Sequence, residues 1–217
     1  MRPKIYACYS DSHLPLVEQH FIPSLPDGFD LRLRHVPQSC PRATYNAEGW
    51  GLAMQHKVSM ILDAIAAEKD PFVVSDVDVR FYDFQSEEVG RQALSFDASY
   101  QLDMPIAPSR LPRYCAGFVI LAPSPLTREL YEKTLLAIPR YNTEQEALYA
   151  AMTDLVKKGL RVTHLPPDRF WCLKHGSPGP SLAIDHASWV YGKDVVAVKL
   201  DHLRETLDLY RGLHSTR

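Results

Sequence analysis

Phe72-Val-Val-Ser-Asp-Val-Asp-Val-Arg-Phe81 sets two aspartates, one residue apart, at the end of a compact apolar run. The run follows a Lys-Asp-Pro break at residues 69–71 and fits a central strand buried on both faces. In extended backbone, positions i and i+2 point to one side, so Asp76 and Asp78 converge on a single object. Two neighbouring carboxylates are costly unless a cation lies between them or one is protonated. Oxygen ligands so placed suit a hard divalent ion, Mg2+ or Mn2+, whose remaining positions go to water and phosphate. Open α/β sheets bind ligands beyond the carboxyl ends of their strands, where this pair lies. The competing reading is a solvated turn in which one carboxylate caps the next segment. The apolar flanks Phe72–Val74 and Phe81-Tyr82 weigh against it.

Outward from this run, helix and strand patterns alternate. Trp50, Met54, Ile61 and Ile65 recur at helical spacing and predict a helix from about Asn46 to Glu68, with Lys57 at the edge of its buried stripe. Towards the amino terminus, Ile5–Tyr9 and Leu31–Val36 read as strands, with a helix over His13–Leu25 confined by Pro15 and Pro23. On the other side, Gly117–Ala122 reads as a buried strand, and Ser124-Pro125 as the cap and first turn of a helix reaching towards Ile138. Thr143-Glu-Gln-Glu146 has capping-box spacing ahead of the apolar face Leu148, Met152, Leu155 and Val156, and Gly159 stops that helix. A strand over Leu160–Leu165, an irregular proline-rich stretch over Pro166–Pro180 and a closing helix over Val195–Leu213 complete the chain. This order predicts a single α/β domain with a mixed central sheet flanked by helices.

Composition narrows the function classes. The 217 residues, 46% hydrophobic and 23% charged, suit one large globular domain rather than a disordered or fibrous chain. A net charge of −2, from 24 basic and 26 acidic residues, gives no general attraction to nucleic acid or anionic membranes, and no basic aromatic stripe appears. No signal peptide or run of about 18 apolar residues is present, so no membrane span is expected. Cys8, Cys40, Cys115 and Cys172 are widely separated without C-x-x-C spacing, which fits reduced thiols in a cytoplasmic protein.

Five segments carry a resemblance: Trp50 through Lys57, Asp76-Val-Asp78 after Phe-Val-Val-Ser, Cys115-Ala-Gly-Phe118, Thr143-Glu-Gln145, and His186-Ala-Ser-Trp-Val-Tyr-Gly192. In this order the chain resembles the nucleotide-diphospho-sugar transferase group of glycosyltransferases, which have a GT-A, Rossmann-like fold, and in particular the glycogenin-like branch. The resemblance implies that Asp76, Asp78 and His186 hold a divalent metal, usually Mn2+, which in turn holds the diphosphate of a UDP- or GDP-sugar. It implies a nucleotide-sugar-binding part over about 1–123 and an acceptor-side part over 124–217. It places Lys57, Gly192 and Lys193 near the leaving phosphate, and Tyr9, Ser10 and Asp11 against the base or ribose. Asp97, Glu144 and Gln145 fall where relatives face the sugars. Retaining transfer to an unidentified acceptor is implied, the acceptor being small or held partly by an oligomeric neighbour. The chain departs from the glycogenin-like pattern where Gly192-Lys-Asp-Val195 stands in place of Lys-Pro-Trp.

Each residue also has a plainer reading. Lys57 reads equally as a lysine snorkelling at a core edge, and Lys193 as a surface lysine. His186 is one of nine histidines and reads also as a core or loop residue. Gly117 either starts a strand or permits close backbone approach to a sugar. Glu144 and Gln145 fit a helix cap, and Asp97 a surface turn. Two alternatives stand beside glycosyl transfer. One is a haloacid-dehalogenase-like phosphatase with Asp76 as nucleophile and Asp78 as acid/base, although some seventy residues precede the motif. The other is a sugar-nucleotide-binding module without turnover.

Overall fold

The computed structural model describes residues 2–41, 47–104, 113–141, 143–172, 179–188, 190 and 194–215. The strands are β1 (Lys4–Tyr9), β2 (Asp30–His35), β3 (Phe72–Ser75), β4 (Val79–Phe81), β5 (Ala98–Met104), β6 (Arg113–Leu121), β7 (Val162–His164), β8 (Phe170–Cys172) and β9 (Ile184–His186). The helices are α1 (Leu14–Leu16), α2 (Trp50–Ala67), α3 (Ser86–Ser95), α4 (Pro125–Tyr141), α5 (Glu144–Lys157) and α6 (Val195–Ser215). Six strands form one mixed sheet in the order β2-β1-β3-β6-β5-β7, and the other three form a small sheet, β4-β9-β8. β1 runs parallel to β2 and β3, whereas β6 is antiparallel to both β3 and β5.

Both faces of the large sheet are covered, and strand periodicity divides its side chains between two cores. Ile5, Ala7, Val73, Phe118 and Ile120 pack into one, with Phe21, Phe81, Phe84 and Phe170. Their sequence neighbours Phe72, Val74, Val119 and Leu121 pack into the other, beneath α2, α4 and α5. Such two-sided burial is why β3 reads as an unbroken apolar run rather than an alternating one. Among the described residues, no helix is long and apolar enough to cross a membrane.

The predicted caps form. Ser124 Oγ accepts from Thr127 N (3.1 Å), and Thr143 Oγ1 accepts from Glu146 N (3.2 Å). Gly159, at φ +102°, follows α5 in the left-handed conformation that ends helices. The expected helix over His13–Leu25 is instead a series of short turns. Asp11–His13 and Ile22–Ser24 are 3-10, only Leu14–Leu16 is α-helical, and Val17–Phe21 is π-helical. Pro15 and Pro23 each remove a backbone donor and fix φ, which prevents one regular ladder. The helix expected from about Asn46 begins at Trp50, and residues 42–46 lie outside the described set.

Candidate active site

The chain leaves β1 for β2 on one side and places β3 on the other, so the carboxyl ends of β1 and β3 flank a switch in strand order, where open α/β sheets form a crevice. A cleft lies there, with Tyr9, Ser10 and His13 from the β1 end, Trp50, Met54 and Lys57 from α2, Asp76 and Asp78 after β3, and Lys199 from α6. Tyr9, Ser10, Lys57, Asp76 and Asp78 thus share one cavity. Asp11 is mostly exposed and pairs with His35 (2.7 Å).

Sheet register delivers the histidine. Val79, next after Asp78, pairs with His186 across β4 and β9, and Ala187 N donates to Asp78 O (3.0 Å). His186 Nε2 lies 3.4 Å from Asp78 Oδ1 and 3.9 Å from Asp76 Oδ2. One ligand atom from each of Asp76, Asp78 and His186 falls within 4.8 Å of the others. Cis ligands of an octahedral ion with bonds of ~2.1 Å lie roughly 3 Å apart, so the group must draw in by up to roughly 2 Å to close on an ion. Gly117 makes room: a Cβ there would sit 2.1 Å from His186 Cε1 and 2.9 Å from Asp76 Oδ2. Two carboxylate oxygens and one imidazole nitrogen suit a divalent ion, and the residues present therefore fit the group the motif implies.

Cations surround this group. Lys57 is buried and its three donors are spent inside the protein, on Asp76 Oδ1 (2.6 Å), Glu144 Oε1 (3.0 Å) and Ala116 O (3.1 Å). Burial opposes its charge, but Asp76 and Glu144 outweigh that and hold the ammonium well above the usual lysine value. Lys199 Nζ lies 2.5 Å from Asp78 Oδ2. Asp78 is buried, yet Lys199 and His186 keep its carboxyl well below the usual aspartate value. Burial raises Asp76, Lys57 opposes the shift, and the charge of Asp78 reinforces it. Burial disfavours a charged His186, but Asp78 and Cys115 prevail and hold it well above the usual histidine value. His13 accepts or donates at Ser10 Oγ (3.1 Å), and burial together with Lys199 pushes it down to about 4, so it is neutral at pH 7.

The remaining expected residues divide. Glu144 is fixed by Lys57, and Gln145 Nε2 donates to the buried Asp103 Oδ2 (3.0 Å). Asp97 does not join them. It precedes β5 at the end paired with Leu121, whereas Gln101 and Asp103 lie towards the site. Its carboxylate takes Arg161 N (2.8 Å) and Arg161 Nη2 (2.9 Å). Burial would raise Asp97, but the Arg161 hydrogen bonds hold it below the usual value. A depressed folded value gives stability that is present above about pH 4 and lost as pH falls through the folded value. Asp97→Ala is therefore expected to lower the melting temperature by about 2–6 °C at pH 7, with the gap from wild type closing towards pH 3, and to leave Mn2+ affinity unchanged. Thermal melts across pH and calorimetry check both parts. Gly192 and Lys193 lie outside the described residues.

Three contributors are absent from the sequence reading: Lys199, Gln101 and His13. Lys199 did leave a signal. It stands four residues after Val195 and four before Leu203, a charge on the buried stripe of a helix whose range was expected.

The family model for nucleotide-diphospho-sugar transferases matches residues 35–208. No curated protein matches the chain in sequence. Among solved structures, the galactosyltransferase LgtC in complex with donor and acceptor sugar analogues is similar with a TM-score of 0.53 and 12% identity, over 97% of this chain and 99% of that one. A glycosyltransferase involved in glycosylation of the major capsid of PBCV-1 is similar with a TM-score of 0.59 and 12% identity, over 94% of this chain and all of that one. The bifunctional glycosyltransferase WbbM gives 0.55 and 9%, over 96% of this chain and 51% of that one. These likenesses place the fold in the GT-A type.

Proposed function

The chain belongs to the nucleotide-diphospho-sugar transferase family and is a glycosyltransferase of GT-A fold, and from that premise we propose that it moves a sugar from a UDP- or GDP-linked donor with a divalent cation held by Asp76, Asp78 and His186. The observation that carries the proposal is the convergence of these three side chains on one point beside a cleft. When bound, the ion, Mn2+ in this proposal rather than Mg2+, supplies Lewis-acid stabilisation of the charge that grows on the leaving diphosphate.

The protein's own groups do the rest. Lys57 fixes Asp76 and Glu144, so it orients the ligand set rather than reaching the phosphate. Lys199 lines the cleft from α6 and is the lysine we assign to the leaving diphosphate, the role that Gly192 and Lys193 had in the sequence reading. Tyr9 and Ser10 flank the nucleoside, with neutral His13 beside them as a hydrogen-bonding partner. Gln145 and Asp103 face the donor sugar, and residues 124–217 receive the acceptor while also lending Glu144, His186 and Lys199 to the donor side. Retention of anomeric configuration is part of the proposal. Asp76 and Glu144 are engaged by Lys57 and Asp78 by Lys199, so none of these three carboxylates is free to act as the base inversion requires. The setting is a reducing cytoplasm, in which Cys8 and Cys115 beside the site stay as thiols. The phosphatase alternative has no support from the family match.

The test is a thermal-shift series of UDP- and GDP-sugars with and without Mn2+. A donor at a hundred times its Kd adds about 2.7 kcal/mol, which for a chain of this size is a rise of about 5–11 °C. The expected result is a rise for one nucleotide class that needs Mn2+. No rise with any nucleotide in the presence of metal sinks the proposal.

A further inference from the structure

We infer that Gln101 is a positioning residue for the metal site: its side-chain oxygen holds the proton on His186 Nδ1 and so commits Nε2 to the ion. The inference rests on the metal-dependent reading above and adds a residue that no motif in the sequence marks.

Gln101 lies on β5 and is completely buried. Its amide nitrogen donates to two backbone carbonyls, Trp171 O (2.7 Å) and Phe170 O (3.2 Å), both on β8 of the small sheet. Those acceptors settle which way the amide faces. A flipped side chain would set its oxygen against two carbonyl oxygens and strand both, at the cost of buried unsatisfied groups. With the nitrogen so fixed, Oε1 faces His186 Nδ1 at 2.8 Å. An amide oxygen only accepts, so Nδ1 must carry the hydrogen. The other ring nitrogen is the one that faces Asp78 Oδ1 and Asp76 Oδ2.

The backbone explains how β5 reaches this point. Tyr100 pairs with Val119 on β6, but Gln101 pairs with Cys115, so the ladder lapses across Ala116–Phe118. That irregularity is where Gly117 approaches His186, and it sets Gln101 beside the ring rather than across from the bulged residues. Cys115 Sγ, 3.6 Å from the same Nδ1, is a weaker second partner for the same hydrogen. Metal-bound histidines generally need such an outer partner, and its loss weakens metal binding 10–100-fold.

Calorimetry of Mn2+ binding to the full chain tests this with wild type, Gln101→Met and Gln101→Glu. Gln101→Met is expected to bind Mn2+ 10–100-fold more weakly. Gln101→Glu keeps an oxygen that accepts the Nδ1 hydrogen and is expected to bind Mn2+ more tightly than Gln101→Met does. Unchanged affinity in Gln101→Met overturns the inference while leaving the metal site standing. Failure of wild type to bind Mn2+ overturns the metal reading itself, and the inference with it. A measurement on wild type alone covers a variant that does not fold. In long-range proton–nitrogen NMR with diamagnetic Zn2+ bound, His186 is expected to show its proton on Nδ1, and a proton on Nε2 overturns the assignment.

Discussion

Asp78→Ala is expected to abolish Mn2+-dependent binding of the nucleotide and to lower sugar transfer by at least ~10³-fold, the ~4 kcal/mol by which a bound dication commonly lowers such a barrier. Asp78 is the carboxylate most committed to the site. It is 5% exposed, lies 3.4 Å from the histidine, and is kept ionised by Lys199 and His186 despite its burial. Asp76 is about a third exposed and shares its charge with Lys57, so its loss is more easily replaced by water. The chain should stay folded, since α6 is also anchored by Leu200 and Leu203 against Leu16 and Ala187. Asp63→Ala is the control, because that carboxylate is 66% exposed on α2 and pairs only with Arg34 among the described contacts. Calorimetry with Mn2+ and UDP or GDP separates the two variants. Retained metal-dependent binding in Asp78→Ala would contradict the proposed ligand set.

What the sequence disclosed here, and what it hid, follows from the range of the interactions. β3 and α2 were legible because each is a local pattern: an unbroken apolar run for a strand buried on both faces, and a stripe of Trp50, Met54, Ile61 and Ile65 at helical spacing. Asp76 and Asp78 were legible for the same reason, since two residues at i and i+2 need no partner elsewhere to converge. β4, β8 and β9 were not. Each is three residues long, too short to display a period, and the set exists because β4 and β8 pair with β9 on either side. α3 and β5 were also missed, although β5 alternates in a telling way. Ser99, Gln101 and Asp103 are buried polar residues on one side, while Tyr100 and Leu102 are apolar on the other. A strand that buries polar side chains at alternate positions is one whose partners lie far off in sequence, as Gln101 shows with Phe170, Trp171 and His186. Lys57 illustrates the converse. Its place on the buried stripe was read, but its role as a clamp on Asp76 and Glu144 needed the third dimension, because the two carboxylates come from opposite ends of the middle of the chain.

Gly117→Ala is expected to remove Mn2+ binding by ~100-fold or more and to lower the melting temperature by about 3–9 °C, from an overpacking cost of about 1–3 kcal/mol. The added methyl carbon would lie 2.1 Å from His186 Cε1, 2.8 Å from His186 Nε2 and 2.9 Å from Asp76 Oδ2, so something must move. The strand cannot easily yield, because Gly117 O accepts Asp76 N (2.7 Å) and the next residue, Phe118, pairs with Ser75 on β3. The imidazole cannot easily yield either, being 3% exposed and held by Gln101. The strain therefore falls on the two ligands the ion needs, and this is the physical reason for a glycine here rather than the start of a strand. A second substitution tells steric pressure apart from general damage to β6. Adding His186→Ala removes the side chain that the methyl strikes most closely, so the double variant should lose clearly less melting temperature than the two single variants summed, while still failing to bind Mn2+. The two substitutions would then be strongly non-additive in stability, as expected for residues in contact. Additive losses would mean that the methyl injures the strand itself, and wild-type Mn2+ affinity in Gly117→Ala would mean that His186 is not where the ion binds.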